Sequence, residues 1–250
     1  VHWPETMMTF DETDGILFSG DGFGCFGTLD GGFLDTRINT DHYWDEMVRY
    51  YSNIVGKYGS PVQKALQKLG GLPVSVICST HGPVWTDNIP KVIGIYDKLS
   101  RYDADEGVVI AYTSVYGHTQ KAVMRLADRL RENGCRAVSV IDLARSDMAE
   151  AVEDAFRYDR LVLATTTYNA DIFPFMRAYI EHLTERGFKN RKIGLVENGT
   201  WAPTAAKTMK EMLAGCKNLE FAETTVQIKS ALNDASKAQL ESLAAELCAD

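Results

Sequence analysis

The sequence lacks the features that mark several specialised classes of protein. Its five cysteines are scattered, odd in number and without a C-x-x-C pair, so they predict neither a disulfide framework nor a thiolate zinc site. No lysine- or arginine-rich run accompanies the formal net charge of -8, which argues against a nucleic acid partner. The apolar runs are far shorter than the ~20 residues that span a bilayer, and no signal peptide is recognisable. We therefore expect a cytosolic protein without a membrane partner, whose cysteines are small buried hydrophobic residues.

From Gly107 onward, short apolar runs alternate with segments of helical periodicity. Five strands that alternate with five helices imply right-handed crossovers and a doubly wound parallel sheet. The predicted strands are 107–112, 135–141, 160–165, 192–197 and 219–228, and the predicted helices are 119–134, 146–155 and stretches that follow Pro174, Pro203 and Asn233.

The first hundred residues show no such alternation. A strand ending at Asp21, a mostly helical stretch over 41–69, a buried strand over 72–80 and a helix over 89–100 are too few and too irregularly ordered to close a complete α/β layer. This half of the sequence is therefore expected to be incomplete. The acidic stretch "RYDADEG" (101–107) has the character of a linker, so we predict domains over 1–103 and 107–250.

The loop "TSVYGHT" (113–119) joins the first strand of the second half to its first helix. In doubly wound sheets, ligands bind beyond the carboxyl ends of the strands. Hydroxyl groups and backbone N–H groups at a helix N-terminus suit a terminal phosphate, whereas the missing Walker signature argues against a nucleoside triphosphate. The alternative is that Ser114 and Thr119 only cap the helix and that His118 is a polar residue of its first turn.

Two further loops follow the third and fourth strands. "TTTYNADIFP" (165–174) and "ENGTWAPT" (197–204) each place one large aromatic residue, Tyr168 or Trp201, among small and polar residues. A flat heteroaromatic ring is held in this way, so the three loops together predict FMN. Glu197 beside such a ring would lower the flavin potential by repelling an anionic reduced form. The alternative for Glu197 is a solvated residue at the end of a strand.

One motif misleads. "GFGCFG" (22–27) matches G-x-G-x-x-G, but "TLDGGFLDT" follows it and opens no helix, so it fails as a dinucleotide fingerprint. Asp35, Asp41 and Asp45 form a loose acidic stretch that we interpret as a solvated face.

Three residues of the first half have side chains that suit a metal. His2, Asp21 and His81 lie at predicted loops or strand ends, and imidazole with carboxylate suits iron, manganese or zinc. Each of these residues alone is more often a cap or a satisfied polar group in a core than a metal ligand. Three ligands are also too few for two metal ions, so the spacing alone leaves the metal site open.

An ordered series of motifs gives a more specific indication. "HWPETM", "LFSGDGFG", "STHGPVW", "YTSVYGHTQKA", "TTTYNADIFPFM" and "GTWAP" resemble the motif series of the flavodiiron proteins across essentially the whole sequence. The resemblance implies an α/β chain with two parts. The C-terminal part of a metallo-β-lactamase-like αββα domain (1–103) would precede a flavodoxin-like, five-stranded parallel sheet of order 2-1-3-4-5 (107–250).

The resemblance also implies site residues. His2 and His81 would be ligands of a non-haem diiron centre, and Asp21 would bridge its two iron ions, so these three residues are the candidate catalytic and metal-binding residues. The candidate FMN-binding residues are Ser114, Val115, Tyr116, Gly117, His118, Thr119, Thr166, Thr167, Tyr168, Asn169, Ala170, Asn198, Gly199, Thr200, Trp201 and Ala202.

The sequence departs from the family pattern in two places. The remaining ligands of the family lie in a His-x-Glu-x-Asp cluster that these 250 residues lack, so Val1 is expected to be a cut edge and a companion N-terminal polypeptide to supply those ligands. Phe26 stands where the family often has a histidine near the metals, which changes the polarity of the pocket. The resemblance further implies a head-to-tail homodimer, and the lack of a rubredoxin-like cysteine module implies a separate electron-donor protein.

Three functions are compatible with these features. The first is a flavodiiron oxidoreductase that reduces dioxygen to water, nitric oxide to nitrous oxide, or both, with electrons passing from the donor through FMN to the diiron centre. The second is a flavodoxin-like FMN electron carrier whose first domain is a non-catalytic remnant used for dimerisation. A metal-dependent hydrolase with a flavodoxin-like passenger is disfavoured, because two histidines alone do not build a zinc site with its activated water.

Overall fold

A computed structural model describes residues 6–29 and 31–249. The chain divides into two compact units, residues 1–103 and 104–250. Among the described residues, no helix is both long enough and apolar enough to cross a bilayer.

Unit 1 is built on a three-stranded sheet of order β1-β2-β3, in which β1 is antiparallel and β3 parallel to β2. Strand β1 was not predicted, because three residues are too few to show an alternating pattern. The predicted helical stretch over 41–69 is interrupted by one π-helical and one 3-10 segment, Tyr51–Val55 and Gly56–Tyr58. The elements are β1 (Thr9–Asp11), β2 (Ile16–Gly20), α1 (Tyr43–Tyr50), α2 (Gly59–Leu69), β3 (Val76–Ser79) and α3 (Ile89–Ser100).

The sheet of unit 1 is covered on one face. Leu17 and Ile77 point into a core shared with residues of α1 and α3 and are almost fully buried. Successive side chains of a strand point to opposite faces, so Phe18, which is 50% exposed, lies on the other face of the sheet. Its neighbour in the register is Cys78, half-buried, and the next outward pair is Ile16 with Val76. This second face is therefore apolar and only partly covered within unit 1.

Unit 2 contains a parallel sheet of order β5-β4-β6-β8-β9, which confirms the predicted flavodoxin-like order 2-1-3-4-5. A short sixth strand, β7, pairs antiparallel with the end of β6 and was not predicted. The elements are β4 (Asp105–Tyr112), α4 (His118–Glu132), β5 (Val138–Asp142), α5 (Met148–Arg157), β6 (Tyr158–Tyr168), β7 (Asp171–Ile172), α6 (Pro174–Glu185), β8 (Arg191–Asn198), α7 (Ala205–Met212), β9 (Leu219–Ile228) and α8 (Asp234–Cys248).

The acidic stretch predicted as a linker is partly a strand. Asp105 pairs with Tyr158 and begins β4, and the backbone N–H of Gly107 donates to Asp159 Oδ1 over 3.0 Å. The charges of this stretch lie at the start of a strand, where they remain exposed while the backbone joins the sheet. The core of unit 2 lies beneath α4 and α8, whose apolar faces pack on the buried residues of β4, β6, β8 and β9.

The expectation that every cysteine is a separate buried residue was wrong for two of the five. Cys135 and Cys248 form a disulfide, with their Cα atoms 6.2 Å apart. Cys135 follows α4 and Cys248 ends α8, so the pair forms only because those two helices pack side by side. A separation of 113 residues along the chain gives no local signal for such a pair.

Candidate functional site

A cavity of about 330 Å³ lies where strands β4, β6 and β8 end, at the edge of the sheet where ligands of doubly wound folds bind. Eleven of the sixteen predicted FMN-binding residues line it. Gly117, Asn169, Ala170, Trp201 and Ala202 do not. The lining residues are Ser114, Val115, Tyr116, His118, Thr119, Thr166, Thr167, Tyr168, Asn198, Gly199, Thr200 and Ser230.

The first loop leads directly into helix α4. Gly117 has φ +82°, the left-handed region that favours glycine, and this turn lets the helix begin at His118. Ser114 Oγ accepts from the Gln120 N–H over 3.2 Å, which supports the capping interpretation for Ser114, yet the same side chain lines the cavity. Gln120 Nε2 donates to the hydroxyl of Tyr112 over 3.1 Å and fastens the start of α4 to the end of β4. The N–H groups of a first helical turn have no acceptor within the helix, so this turn is suited to an anion.

Asn198 and Ser230 form one wall of the cavity, and Ser230 was missed by sequence reasoning. Ser230 N donates to Asn198 Oδ1 over 3.0 Å, and Asn198 Nδ2 donates to Ser230 O over 3.0 Å and to Thr119 Oγ1 over 3.3 Å. The end of β8 is thereby tied to the segment after β9 and to the first turn of α4. The signal that could have found Ser230 is its position just beyond the strand that neighbours β8 in the predicted order.

The three threonines near the end of β6 differ in their hydrogen bonds. Thr165 Oγ1 shares a buried hydrogen bond of 2.6 Å with Thr113 Oγ1, and Thr167 Oγ1 accepts from the Thr204 and Ala205 N–H groups. Thr166 Oγ1 is buried and has no hydrogen-bond partner, and of the four such side-chain atoms in the described part of the chain it is the one in the cavity lining. A buried hydroxyl without a partner is costly, so this atom indicates a polar group of a ligand.

The loop after Thr167 is a tight β6–β7 hairpin. Asn169 and Ala170 both have positive φ, at 51° and 59°, as the two central residues of a type I′ turn do. Tyr168, on the cavity side of this turn, packs edge-to-face on Phe173 with ring centroids 5.3 Å apart. Only a rigid, locally strained backbone of this kind fixes where Tyr168 stands.

In the loop after β8, Trp201 stays a prediction as an FMN-binding residue, whereas the interpretation of Glu197 as a solvated residue was wrong. Trp201 is 97% exposed and does not line the cavity, because the loop is short and Gly199 lies close against Pro203 and Thr167. Glu197 is neither solvated nor part of the lining. It is buried, and its carboxylate accepts from the Ala206 N–H and from Gln227 Nε2, each over 2.9 Å, so it anchors the start of α7.

In unit 1, the structure brings together two of the three predicted metal ligands. His81 Nε2 lies 3.4 Å from Asp21 Oδ1, and the Thr80 hydroxyl donates to the same carboxylate oxygen over 2.5 Å. His2 lies outside the described residues. Within residues 6–29 and 31–249, no three His, Cys, Asp or Glu side chains are grouped closely enough to hold a metal ion. The described part of unit 1 therefore supplies a carboxylate and an imidazole side by side, but not a complete ligand set.

The loop that carries Asp21 is held in a strained conformation. Phe23 has φ +64°, and its carbonyl accepts from Trp85 Nε1 over 3.1 Å, while the Tyr96 hydroxyl donates to the Gly24 carbonyl over 3.1 Å. No helix follows "GFGCFG" between the described residues 22 and 29, which confirms that the motif is not a dinucleotide fingerprint. Strain maintained by buried anchors of this kind is typical of positions that hold functional groups.

Phe26 packs on the same loop system. Its ring lies edge-to-face against Tyr50 at 5.0 Å, and the Arg49 guanidinium lies 5.2 Å from the centre of the Phe26 ring. Tyr50 in turn lies 5.7 Å from the His81 ring. Phe26 thus contacts the Arg49 guanidinium and the Tyr50 ring, and Tyr50 is the ring that lies beside His81.

The interpretation of Asp35 as part of a solvated acidic face was wrong. Asp35 is 4% exposed, and its carboxylate accepts from the backbone N–H groups that follow Trp85 and from the side chains of Thr86 and Asn88. Burial alone would raise the pKa of this carboxyl, but those hydrogen bonds outweigh it and hold the pKa below its ordinary value of 3.8. Asp35 therefore shapes the turn that leads from Trp85 into α3.

A family model described as a flavodoxin domain matches residues 109–232. The anaerobic nitric oxide reductase flavorubredoxins of Shigella dysenteriae serotype 1 and of Escherichia coli O1:K1 are 28% and 27% identical to the chain over 216 residues. Each match covers 85% of this chain and 45% of the relative, so the chain spans less than half the length of these curated relatives.

Solved structures extend the similarity to both units. The rubredoxin oxygen:oxidoreductase of Desulfovibrio gigas superposes with a TM-score of 0.93 at 23% identity and covers 99% of this chain and 62% of that protein. The flavodiiron protein of Giardia intestinalis superposes with a TM-score of 0.90 at 24% identity and covers 99% and 63%. These relatives are oxidoreductases by name. In sequence the chain is therefore similar to the flavorubredoxins, in fold both of its units are similar to flavodiiron proteins, and residues 109–232 match a flavodoxin domain.

Proposed function

We propose that unit 2 binds FMN in the cavity at the ends of β4, β6 and β8. The observation that carries this proposal is the partnerless, buried Thr166 Oγ1 in a cavity whose other side is the first turn of α4. The tyrosine and histidine residues of the lining are Tyr116, His118 and Tyr168, and none of its residues is a carboxylate, lysine or arginine. A phosphate would therefore be held by neutral donors and by the helix N-terminus.

Different lining residues would hold the phosphate and the ring of such a cofactor. Ser114, His118 and Thr119 are placed for the phosphate, since they surround the start of α4. Thr166, Tyr168 and Gly199 are placed for the flavin ring, since they come from the two neighbouring strand ends. When bound, FMN would supply two-electron redox chemistry, and the loops fix its orientation and exclude water from one side.

A titration of the apoprotein with FMN and with riboflavin tests the proposal. Riboflavin lacks the phosphate, so we expect it to bind at least about 30-fold more weakly than FMN, equivalent to roughly 2 kcal/mol for charge-assisted hydrogen bonds. Flavin fluorescence quenching measures both affinities. Equal affinities for the two flavins, or no binding of either, would refute the proposed orientation or the cofactor.

Thr166→Val probes the partnerless hydroxyl. We expect FMN affinity to fall about 10-fold, because roughly 1 to 1.5 kcal/mol of hydrogen bonding is lost, while the apoprotein keeps its stability. Thr165→Val is the matched control, because it removes the buried partner of Thr113 outside the cavity and should lower apoprotein stability instead. Flavin titration and urea unfolding separate the two effects. A Thr166→Val apoprotein that loses stability and keeps its FMN affinity would assign the hydroxyl to the fold.

We further propose that unit 1 is the C-terminal part of a metallo-β-lactamase-like domain and that the complete protein is a flavodiiron oxidoreductase. The juxtaposed Asp21 and His81 side chains support this, since they fit a diiron centre whose other ligands, apart from His2, lie outside these 250 residues. Reduction of dioxygen to water takes four electrons and coupling of two nitric oxide molecules takes two, so both substrates suit FMN combined with two iron ions. A separate donor protein would supply these electrons.

The bare face of the unit 1 sheet supports a companion portion of polypeptide. Ile16 and Phe18, with their neighbours Val76 and Cys78, form an apolar face that is only partly covered within unit 1, since Phe18 is exposed and the other three are half-buried. A sheet with one open apolar face needs a second layer. We propose that the portion of the relatives that this chain does not span provides that layer, together with the remaining iron ligands, and that the completed units pair head to tail as a homodimer.

The alternative is an FMN electron carrier whose first unit is a non-catalytic remnant that serves dimerisation. It is favoured by the incomplete ligand set of the described residues. Intact mass spectrometry of the natively isolated protein, combined with iron analysis, distinguishes the two. A second polypeptide with a His-x-Glu-x-Asp cluster and two iron ions per FMN supports the oxidoreductase. A single polypeptide with FMN and no iron supports the carrier.

A further inference from the structure

Cys135 and Cys248 meet at the end of α4 that is remote from the cavity. Helix α4 begins at His118 in the cavity wall and runs for 15 residues, or about 22 Å at 1.5 Å per residue. Cys135 follows it, with its N–H bonded to the Leu130 carbonyl over 3.0 Å. Cys248 is the last residue of α8, and both sulfur-bearing side chains are half-buried against the core beneath the two helices.

We propose that Cys135 and Cys248 form a reversible thiol–disulfide exchange site whose substrates are low-molecular-weight disulfides such as glutathione disulfide. The thiolate of one cysteine attacks the glutathione disulfide, whose S–S bond breaks and releases one glutathione thiolate. The second cysteine then attacks the protein sulfur of the mixed disulfide and releases the other glutathione. Two protein thiols are oxidised, one glutathione disulfide is reduced to two glutathione thiols, and the two cysteine protons pass to them.

The geometry of the pair fits this exchange. A Cα separation of 6.2 Å lies within the range of unstrained disulfides, so the second attack needs no movement of the backbone. Both cysteines are half-buried and lie at the C-terminal ends of α4 and α8, so part of each residue is accessible to a small thiol.

The other three cysteines each lack a neighbouring thiol, although Cys78 and Cys216 are half-buried as Cys135 and Cys248 are. Burial raises the pKa of Cys25 to about 12, with a smaller contribution from Glu46, so its reactive thiolate is scarce. Burial also raises the pKa of Cys78 and of Cys216. Each of the three is a free cysteine in the structure, so a mixed disulfide formed there has no adjacent thiol to resolve it. The exchange is therefore specific to one pair.

Oxidation would link α4 and α8, the two helices that cover one face of the sheet of unit 2, by a covalent bond. In the reduced form, α4 and α8 are still joined by the shared core and by Glu241, which pairs with Arg125 and Arg129. The disulfide adds a covalent closure over 113 residues, about three-quarters of unit 2. We expect the urea midpoint of unit 2 to be about 1 to 2 M higher in the oxidised form, from the loop entropy that the closure removes.

The test uses the full chain, incubated in buffers with graded ratios of glutathione to glutathione disulfide, quenched in acid, alkylated and digested for mass spectrometry. We expect the peptide pair linked through Cys135 and Cys248 to rise with glutathione disulfide and to disappear when reduced glutathione is restored. Cys25, Cys78 and Cys216 should form no peptide linked to another protein cysteine in any of these buffers. Urea unfolding of the same oxidised and reduced samples measures the stability difference without a mutation.

Variants separate the exchange from the mere proximity of the two sulfur atoms. Cys135→Ser and Cys248→Ser should each accumulate glutathione on the remaining cysteine and lose the redox dependence of the urea midpoint. Cys216→Ser, a half-buried single cysteine of the same unit, should behave as the wild type does. The proposal is overturned if the linked peptide fails to form in excess glutathione disulfide, or if reduced glutathione leaves it intact.

Discussion

Replacing Ser114 by aspartate is expected to weaken FMN binding about 100-fold while leaving the apoprotein at least as stable as the wild type. The carboxylate can still accept from the Gln120 N–H, as Ser114 Oγ does over 3.2 Å, so the start of α4 keeps its cap. A negative charge near a helix N-terminus also stabilises the helix in the absence of ligand. With FMN, the same charge faces the phosphate. Two unit charges about 5 Å apart at an effective dielectric constant of about 20 repel by roughly 3 kcal/mol.

Ser114→Asn provides the control. The asparagine side chain has nearly the same shape as that of aspartate and can also accept from the Gln120 N–H, but it carries no charge. We expect Ser114→Asn to bind FMN within about 10-fold of the wild type. Riboflavin titrations of all three proteins identify which end of the flavin is affected, since riboflavin has no phosphate to repel. Equal losses in the aspartate and asparagine variants, or a matching loss of riboflavin affinity, would contradict the placement of the phosphate at the start of α4.

The fold of unit 2 could be predicted because its signals are local. Several parallel strands contain a short apolar run, as in residues 108–112 and 161–164, and β9, predicted over 219–228, has the same bounds in the structure. The other strands begin or end one to three residues away, because polar residues such as Asp105 and Asn198 join the ladder through their backbones. Strand order followed from the resemblance to a known family, and the three cavity loops followed from strand order.

The errors share a different cause, which is dependence on contacts between distant residues. Asp35 looks like one of several acidic surface residues until the turn after Trp85, some fifty positions later, folds over it. Ser230 enters the cavity only through its hydrogen bonds to Asn198, 32 positions away. The pair of Cys135 and Cys248 likewise depends on the packing of α4 against α8. No periodicity or short motif in one sequence records such pairs.

Trp201 shows the limit of reasoning from residue type. An aromatic residue in a loop at a ligand-binding edge indicates ring stacking, but the direction of its side chain depends on the backbone of that loop. Here Gly199 approaches Pro203 and Thr167 closely, and Trp201 is left exposed to solvent. Tyr168 occupies the cavity edge instead, because the positive φ values of Asn169 and Ala170 close the hairpin tightly beside it. Both outcomes are decided by backbone geometry that the composition of the loops leaves undetermined.

Asp35→Asn is expected to destabilise unit 1 by about 3 kcal/mol, although it changes only one atom of the side chain. The Asp35 carboxylate accepts through Oδ1 from Thr86 and through Oδ2 from the N–H groups of Asp87 and Asn88 and from the Asn88 side chain. In asparagine, an NH₂ group replaces one of the two carboxylate oxygens. Whichever oxygen it replaces, the NH₂ group faces N–H donors, and those buried donors lose their acceptor. Asp41→Asn is the control, because Asp41 is exposed and a surface change of this kind should alter stability by less than about 0.5 kcal/mol.

The same carboxylate predicts the pH dependence of unit 1. Hydrogen bonds from Thr86 and Asn88 outweigh burial and lower the pKa of Asp35 in the folded state, so the unfolded state binds the proton more readily. Its contribution to stability is therefore fully present above the ordinary pKa of 3.8 and is lost as the pH falls through the lower folded value. Asp35→Asn should flatten this acid limb, whereas Asp41→Asn should preserve it. Urea unfolding at a series of pH values measures the stability of unit 1, and hydrogen exchange of the peptides around Trp85 and α3 reports on this turn directly. If stability fell with decreasing pH in the same way in the wild type and in Asp35→Asn, the buried carboxylate would not control the pH dependence.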